Sequence, residues 1–187
     1  MTIKVKAIIG STSSTSFNLK IVEYMKNRYA DKLEISPVFI NDLETFSIDI
    51  ENTPPKNIQK FKADVADSDA VLFAVPEYNY SIPGALKNAI DWFSRGDLTL
   101  QNKPTFIIGA SMGALGTVRA QMHLRDILMN PALAPNILPG NEVYIGAVHE
   151  KLDENGQITD QATIDFLDNV VNNFVEFYNK TKEPALA

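Results

Sequence analysis

Three polar segments of the sequence each stand between an apolar run and a helical pattern. Residues 10–18 read GSTSSTSFN and are rich in hydroxyl groups. Residues 76–92 read PEYNYSIPGALKNAIDW and hold two tyrosines, a glutamate and two asparagines, and residues 109–119 read GASMGALGTVR and hold three glycines. Because ligands of an open parallel sheet bind outside the carboxyl ends of its strands, we expect the three segments to converge on one ligand site.

The hydroxyl-rich segment 10–18 is suited to an anion. Asn18 begins a helical pattern, and a helix N-terminus carries free N–H groups and partial positive charge. The segment lacks the lysine of G-x-x-x-x-G-K-[ST] and does not match G-x-G-x-x-G, so a terminal phosphomonoester fits it better than a pyrophosphate. The alternative is an ordinary serine-rich turn in which Ser16 caps the helix.

The segment that begins at Pro76 is suited to a flat conjugated ring. Such a ring would stack on Tyr78 or Tyr80, while the backbone N–H groups of residues 77–80 meet its polar rim. Ser81 is a favourable N-cap for the helix that follows. The alternative is that Pro76 only ends a strand and that the tyrosines are surface aromatics.

The segment 109–119 supports two interpretations. Its glycines permit close approach of the backbone to a ligand. However, GASMG also matches G-x-S-x-G, the nucleophile elbow of α/β-hydrolases, with Ser111 as the nucleophile and Asp126 and His149 following in the expected order. A hydrolase is disfavoured because Asp126 falls within a helical pattern, no HGGG-type oxyanion segment is present, and only one further strand follows.

Apolar runs alternate with helical patterns along the whole chain. Strands are predicted at 4–10, 33–40, 69–75, 104–110 and 142–148. Helices are predicted at 18–30, 53–68, 81–95, 115–130 and 160–180. Five such strand–helix units predict an α/β fold, a flavodoxin-like, doubly wound five-stranded parallel sheet in the order 2-1-3-4-5 with helices on both faces. Residues 1–187 are expected to form a single domain.

Two local features refine this fold prediction. Pro37 lies within the second strand and predicts an edge position for it. Residues 130–140, NPALAPNILPG, are irregular and apolar. Such a segment either covers a ligand or meets another subunit, or it packs on its own core, and both interpretations stay open.

The composition limits the classes of function. A net charge of −6 repels nucleic acid and anionic lipid, so neither is expected as a partner. The absence of cysteine excludes thiolate chemistry, and no metal site is expected. No apolar run is long enough for a signal peptide or a membrane span, so we expect a cytoplasmic protein. His123 and His149 are expected to be structural or solvated.

The three segments also resemble a known family, the flavodoxin-like NAD(P)H-dependent FMN reductases, and especially its branch that reduces quinones and chromate. GSTSSTSFN resembles the family pattern G-S-x-R-x-x-S-x-N, with Ser13 in place of the arginine. PEYNYSIPGALKNAIDW resembles the flavin-ring loop of the family almost residue for residue. SMGALGT resembles S-x-G-x-x-G-G, with Thr117 in place of the last glycine. The resemblance spans most of the chain.

The resemblance implies which residues hold the cofactor. The phosphate of FMN would be bound by Ser11, Ser16, Phe17 and Asn18, with Ser13 at the position of the family arginine. The isoalloxazine ring would lie against Pro76, Glu77, Tyr78, Asn79 and Tyr80, and its far side would meet Ser111 and Gly113.

The resemblance also implies the activity, an FMN-dependent oxidoreductase that passes hydride from NAD(P)H through FMN to a small-molecule electron acceptor. Quinones, azo compounds, chromate and free flavin are the acceptors that it suggests. The flavin carries the chemistry, so no catalytic acid–base residue is assigned. A homodimer or homotetramer is expected. The alternative function is a flavodoxin-type electron carrier, because an acidic surface would suit docking on basic partner proteins.

Overall fold

A parallel β-sheet with helices packed on both faces forms the centre of the protein. The computed structural model describes residues 2–182. Its strands are β1 (Ile3–Ile9), β2 (Leu33–Phe39), β3 (Ala70–Ala74), β4 (Pro104–Ala110), β5 (Asn136–Ile137) and β6 (Val143–Ile145). Its α-helices are α1 (Phe17–Arg28), α2 (Lys56–Ala66), α3 (Gly84–Phe93), α4 (Val118–Leu128) and α5 (Gln161–Lys182). The sheet order is β2-β1-β3-β4-β5 with parallel pairing throughout, so the predicted α/β fold is confirmed, including the edge position of the strand that holds Pro37.

The fifth position of the sheet holds two short strands, whereas the sequence predicted one strand over 142–148. β5 pairs with the beginning of β4, where Asn136 lies opposite Pro104, and β6 pairs with its end, where Val143 lies opposite Ile108. The predicted strand is wrong in length, since β6 covers only Val143–Ile145. The chain leaves the sheet between the two strands because proline at 139 has no N–H to donate and Gly140 takes a φ of 65°.

The apolar segment 130–140 packs on the sheet of its own chain. Leu133 and Leu138 are both buried, and they belong to the cores on opposite faces of the sheet. Of the two interpretations that the sequence left open, the structure favours the second, because the segment's leucines are already covered.

Two apolar cores lie on the two faces of the sheet. α1 and α5 cover one face, where the ring centroids of Phe106 and Phe174 are 4.3 Å apart. α2, α3 and α4 cover the other face, where the rings of Phe61 and Phe93 are 4.7 Å apart. Every residue of β3 and β4 is buried, which explains why the sequences of these strands are nearly continuous apolar runs.

The close approach of α4 to the edge of the sheet depends on Gly109. A Cβ at this position would lie 1.7 Å from Oγ1 of Thr117, the residue that precedes α4, and 2.6 Å from the carbonyl oxygen of Val75. The second contact is with backbone at the end of the neighbouring strand, which cannot move aside as a side chain would. Glycine therefore allows the loop after β4 to turn directly beside the loop after β3.

Candidate functional site

A cleft of about 290 Å³ opens at the carboxyl edge of the sheet, where the loops after β1, β3 and β4 meet. Nine of the twelve residues predicted for the site line it, namely Ser11, Ser13, Ser16, Phe17, Asn18, Pro76, Glu77, Tyr78 and Ser111. Three further lining residues were not predicted, namely Thr15, Ala110 and Met112. The remaining predicted residues, Asn79, Tyr80 and Gly113, do not line it. The three polar segments therefore converge as expected.

A larger groove of about 790 Å³ lies between α2 and the C-terminal end of α3. Lys62, Trp92 and Arg95 are among the residues that line it, and of the three polar segments it includes only Trp92, the last residue of segment 76–92. The ammonium of Lys62 donates a hydrogen bond to the carbonyl of Arg95, two residues after the end of α3. Because the loops of all three polar segments meet at the smaller cleft, we place the functional site there.

The N-terminus of α1 forms one wall of the cleft. Ser16 is its N-cap, as the alternative interpretation of this segment expected: its Oγ accepts a hydrogen bond from the N–H of Leu19 at 3.3 Å, and its carbonyl accepts one from the N–H of Lys20 at 3.1 Å. Among the described residues, no acceptor is found for the N–H groups of Phe17 and Asn18. These two donors are the ones that a helix start leaves for an anion.

Neutral hydroxyl groups extend this wall. The hydroxyls of Ser13 and Thr15 share a hydrogen bond of 3.2 Å, and the N–H of Ser13 donates to Oγ of Ser11 at 3.2 Å. Among residues 2–182, no lysine or arginine lines the cleft. Lys20 lies beside Phe17, with its Nζ 5.5 Å from the centre of the ring. An anion in the cleft would therefore meet neutral donors and the partial charge of the helix.

The side chain of Asn18 joins two walls of the cleft. It is buried, and its Nδ2 donates to the carbonyl of Ala110 at 3.1 Å while its Oδ1 accepts from the N–H of Ala110 at 3.0 Å. Both ends of the amide are thus bonded to the end of β4. The resemblance implied that Asn18 holds the phosphate. The structure leaves only its backbone N–H for that contact, because the side chain connects α1 to β4.

The second wall is a tight reverse turn over residues 77–81. Tyr78 and Ser81 pair in antiparallel fashion, with N–H···O distances of 3.0 Å and 3.1 Å, and the two residues between them have φ values of 52° at Asn79 and 65° at Tyr80. Positive φ at both central residues defines a type I′ turn, which is unusual without glycine. The hydroxyl of Tyr78 lies 3.4 Å from Oγ of Ser11. The first and second loops therefore touch across the cleft.

The helix after this turn begins later than predicted. α3 starts at Gly84 with Pro83 as its N-cap, so the prediction of Ser81 as the N-cap is wrong. Ser81 is held in the reverse turn by its two backbone hydrogen bonds to Tyr78. Ile82 precedes a proline, which disfavours helical dihedral angles at that residue.

Glu77 connects the turn to α4. Its Oε2 accepts hydrogen bonds from the N–H groups of Arg119 at 3.0 Å and Ala120 at 3.1 Å. The carboxylate thus caps the N-terminus of α4, where negative charge is favourable. The guanidinium of Arg119 lies 4.2 Å from the ring centre of Tyr80, so Tyr80 is in contact with α4 and not with the cleft. No local pattern in the sequence indicates these contacts, because the residues are about forty positions apart.

The third wall is the loop after β4. The hydroxyl of Ser111 donates to the carbonyl of Gly116 at 2.6 Å and lies 3.2 Å from the carbonyl of Gly113. Gly113 supports the loop from behind, since its carbonyl also accepts a hydrogen bond from the N–H of Ala147 at 3.2 Å. Ser111 thus lines the cleft while its hydroxyl is bonded to its own loop.

This geometry contradicts the hydrolase interpretation. Ser111 is bonded to backbone carbonyls, and within the described residues no hydrogen bond joins it to a histidine. Asp126 lies within α4, and Nε2 of His149 is 3.6 Å from Glu150. The residues of the candidate triad are therefore not assembled.

Metal binding and membrane insertion find no support in residues 2–182. That part of the chain contains no group of three or more histidine, aspartate or glutamate side chains that could hold a metal ion. None of its helices combines the length and the apolar character that crossing a membrane requires.

A doubly wound sheet of this strand order, with a cleft at the point where the order reverses, defines a flavodoxin-like protein. A family profile described as NADPH-dependent FMN reductase matches residues 3–150. The chain is 38% identical over 185 residues to NADH-dependent flavin reductase subunit 2 of Lactobacillus johnsonii, covering 96% of this chain and 100% of the relative. It is 33% identical over 185 residues to a quinone reductase of Escherichia coli, covering 96% and 97% of the two chains. The chain belongs to the NADPH-dependent FMN reductase family.

A solved structure agrees with this assignment. The flavoenzyme NAD(P)H:(acceptor) oxidoreductase FerB of Paracoccus denitrificans superposes with a TM-score of 0.87 at 32% identity, covering 96% of this chain and 98% of that one. The protein is therefore an oxidoreductase that uses FMN and NAD(P)H. The resemblance stated from the three segments is confirmed, and a reductase is favoured over a pure electron carrier.

Proposed function

We propose that the cleft holds FMN, with the phosphate at the N-terminus of α1 and the ring between the loops after β3 and β4. The observation that carries this proposal is the helix start, where the N–H groups of Phe17 and Asn18 have no acceptor in the described part of the chain and lie beside neutral hydroxyls. Such a donor set fits a phosphomonoester. At the other end of the cleft, Tyr78 and Met112 offer an aromatic face and a polarisable thioether to a flat ring.

Each loop has its own part in this arrangement. The phosphate would be held by the backbone at Phe17 and Asn18 and by the hydroxyls of the first loop, at Ser11, Ser13, Thr15 and Ser16. The ring would be held by Pro76, Glu77, Tyr78, Ser111 and Met112. Asn79 and Tyr80 would act through the backbone of their turn, and Gly113 by supporting the loop of Ser111. Bound FMN would supply the redox chemistry, namely hydride transfer from NAD(P)H and electron transfer to an acceptor.

We further propose quinones as the acceptors, with azo compounds, chromate and free flavin as the other members of the acceptor class. Relatives named as quinone reductases and a flavin reductase support this. The residues at the mouth of the cleft also support it, because Tyr78 is 50% exposed and Met112 is 60% exposed, so that a second flat molecule can reach the ring. The chain would act as a single FMN-binding domain in the cytoplasm, where NAD(P)H is available.

The purified protein tests this function directly. It should be yellow, should release FMN and not FAD on denaturation, and should consume NADH or NADPH in the presence of a quinone with no partner protein added. Protein that binds FMN but oxidises NAD(P)H only with a protein partner would indicate an electron carrier. Colourless protein that also fails to take up added FMN would refute the proposed site.

An assembly of at least two chains is proposed from the exposed apolar side chains beside the cleft. Tyr80, Met112, Leu115 and Met122 are each between 58% and 71% exposed and lie on the turn, the loop after β4 and α4. A second copy of the chain that covered them would bury apolar surface next to the flavin. A different subunit is the other candidate, because two relatives are named as subunits, one from Lactobacillus johnsonii and one from Vibrio ruber. Light scattering on the chain expressed alone distinguishes these two candidates. The mass of a dimer or larger assembly would indicate a second copy of this chain, and the mass of a monomer would indicate a different subunit.

Ser13→Arg is expected to tighten FMN binding by about 1 kcal/mol, or about fivefold. The change places a cation beside a phosphate that otherwise meets only neutral donors, and a hydrogen bond to a charged group contributes about 1.5–3 kcal/mol before the cost of side-chain ordering. FMN and riboflavin are titrated into flavin-free protein at low and high salt. The gain should shrink with salt and be absent for riboflavin. Equal tightening of riboflavin would show that position 13 does not face the phosphate.

A further inference from the structure

The reverse turn 77–81 is attached to α4 at both of its ends. At its beginning, the carboxylate of Glu77 caps the N-terminus of the helix. At its end, Oγ of Ser81 and Nδ1 of His123 share a hydrogen bond of 2.7 Å, whose direction depends on the tautomer of the imidazole. Between them, Arg119 stacks on Tyr80. Arg119 and His123 are one helical turn apart, so they present one face of α4 to the turn.

The turn needs such external support because its backbone is strained. Asn79 and Tyr80 both have positive φ, a region that non-glycine residues rarely occupy unless the surrounding structure holds them there. Glu77, two residues before the strained pair, is bonded to α4 through its carboxylate. Ser81 is the first residue after it, and His123 is the side-chain partner that the structure provides for its hydroxyl.

A series of hydrogen bonds connects His123 to the second wall of the cleft. His123 bonds the hydroxyl of Ser81, and the backbone of Ser81 pairs with that of Tyr78 through two hydrogen bonds of 3.0 Å and 3.1 Å. Tyr78 lines the cleft, and its hydroxyl lies 3.4 Å from Oγ of Ser11 on the opposite wall. A displacement of Ser81 would therefore move the wall that faces the ligand.

We infer that His123 is a positioning residue for the flavin, acting through Ser81 to fix the turn against which the ring lies. The inference rests on the proposed FMN site. His123 does not line the cleft, so its effect on the flavin passes through the turn. This differs from the expectation that both histidines are merely structural or solvated, because it gives His123 a measurable effect on a ligand that it does not touch.

The test compares Ser81→Ala, His123→Leu and the double variant as FMN-loaded proteins. The dissociation constant is read from the fluorescence of flavin released on dilution, and the position of the visible flavin absorbance band is recorded as a signature of the ring environment. Each single variant should weaken FMN binding about fivefold, the effect of one neutral hydrogen bond, and should shift the band. The double variant should be no weaker than either single one, since both remove the same interaction.

Two further variants separate positioning from a general effect on α4. His123→Asn keeps a hydrogen-bonding group near the place of Nδ1 and should restore both affinity and band position. Asp126→Leu makes a matched replacement at an exposed position of the same helix and should leave both unchanged. Unchanged affinity and spectrum in the single variants, multiplied effects in the double variant, or an equal effect of Asp126→Leu would overturn the inference while leaving the FMN site intact. Failure of the unaltered protein to bind FMN would instead overturn the proposed site and the inference together.

Discussion

Replacing Asn18 with leucine is expected to abolish FMN binding and to lower the free energy of unfolding by about 2–5 kcal/mol. The buried amide of Asn18 makes hydrogen bonds of 3.1 Å and 3.0 Å to the two backbone groups of Ala110. Leucine has a similar size but leaves the N–H and the carbonyl of Ala110 buried without partners, and each such group costs about 1–3 kcal/mol. The same change releases the N-terminus of α1 from the end of β4, so the two walls of the cleft separate.

Urea unfolding and flavin titration measure the two effects. Asn27→Leu is the matched control, because it makes the same change at an exposed position of the same helix. Its effect on stability should stay within about 0.5 kcal/mol, as is usual for surface substitutions. If Asn18→Leu bound FMN as tightly as the unaltered protein, the bond between α1 and β4 would not be what holds the cleft in shape.

Replacing Asn79 with proline is expected to weaken FMN binding by about tenfold or more, equivalent to about 1.4 kcal/mol at least. The proline ring fixes φ near −65°, whereas Asn79 has a φ of 52°, so the type I′ turn cannot form. Proline also removes the N–H of residue 79, one of the backbone donors predicted to meet the rim of the ring. The wall that carries Tyr78 would then be displaced from the cleft.

Two companion variants separate these causes. Asn79→Gly keeps the N–H and tolerates positive φ, so its FMN affinity should match that of the unaltered protein. Asn79→Ala keeps the N–H but carries the strain of a left-handed residue, about 1–2 kcal/mol, and should fall between the two. Flavin titration gives the order, and circular dichroism checks that each variant is folded. Equal affinity in the proline and glycine variants would show that the flavin does not depend on this turn.

The sequence by itself determined the fold and the place of the site. Continuous apolar runs identified β3 and β4, which are buried on both faces, and helical spacing identified the five helices to within a few residues of their ends. The order of strand–helix units then required the loops after β1, β3 and β4 to share one edge. The N-cap at Ser16 was also predictable, because a cap and the helix that it serves are neighbours in sequence.

Only the tertiary structure decided what the polar side chains of the site do. Asn18 was expected to face the phosphate, yet its amide bonds Ala110, which is 92 positions away in the sequence. Glu77 was expected beside the ring, yet its carboxylate caps α4, which begins about 40 positions later. A polar side chain at the edge of a sheet can form hydrogen bonds with several kinds of group. It bonds whichever group the packing of the elements brings within about 3 Å. Periodicity records which face of an element is apolar, but it carries no information about which distant element will supply that partner.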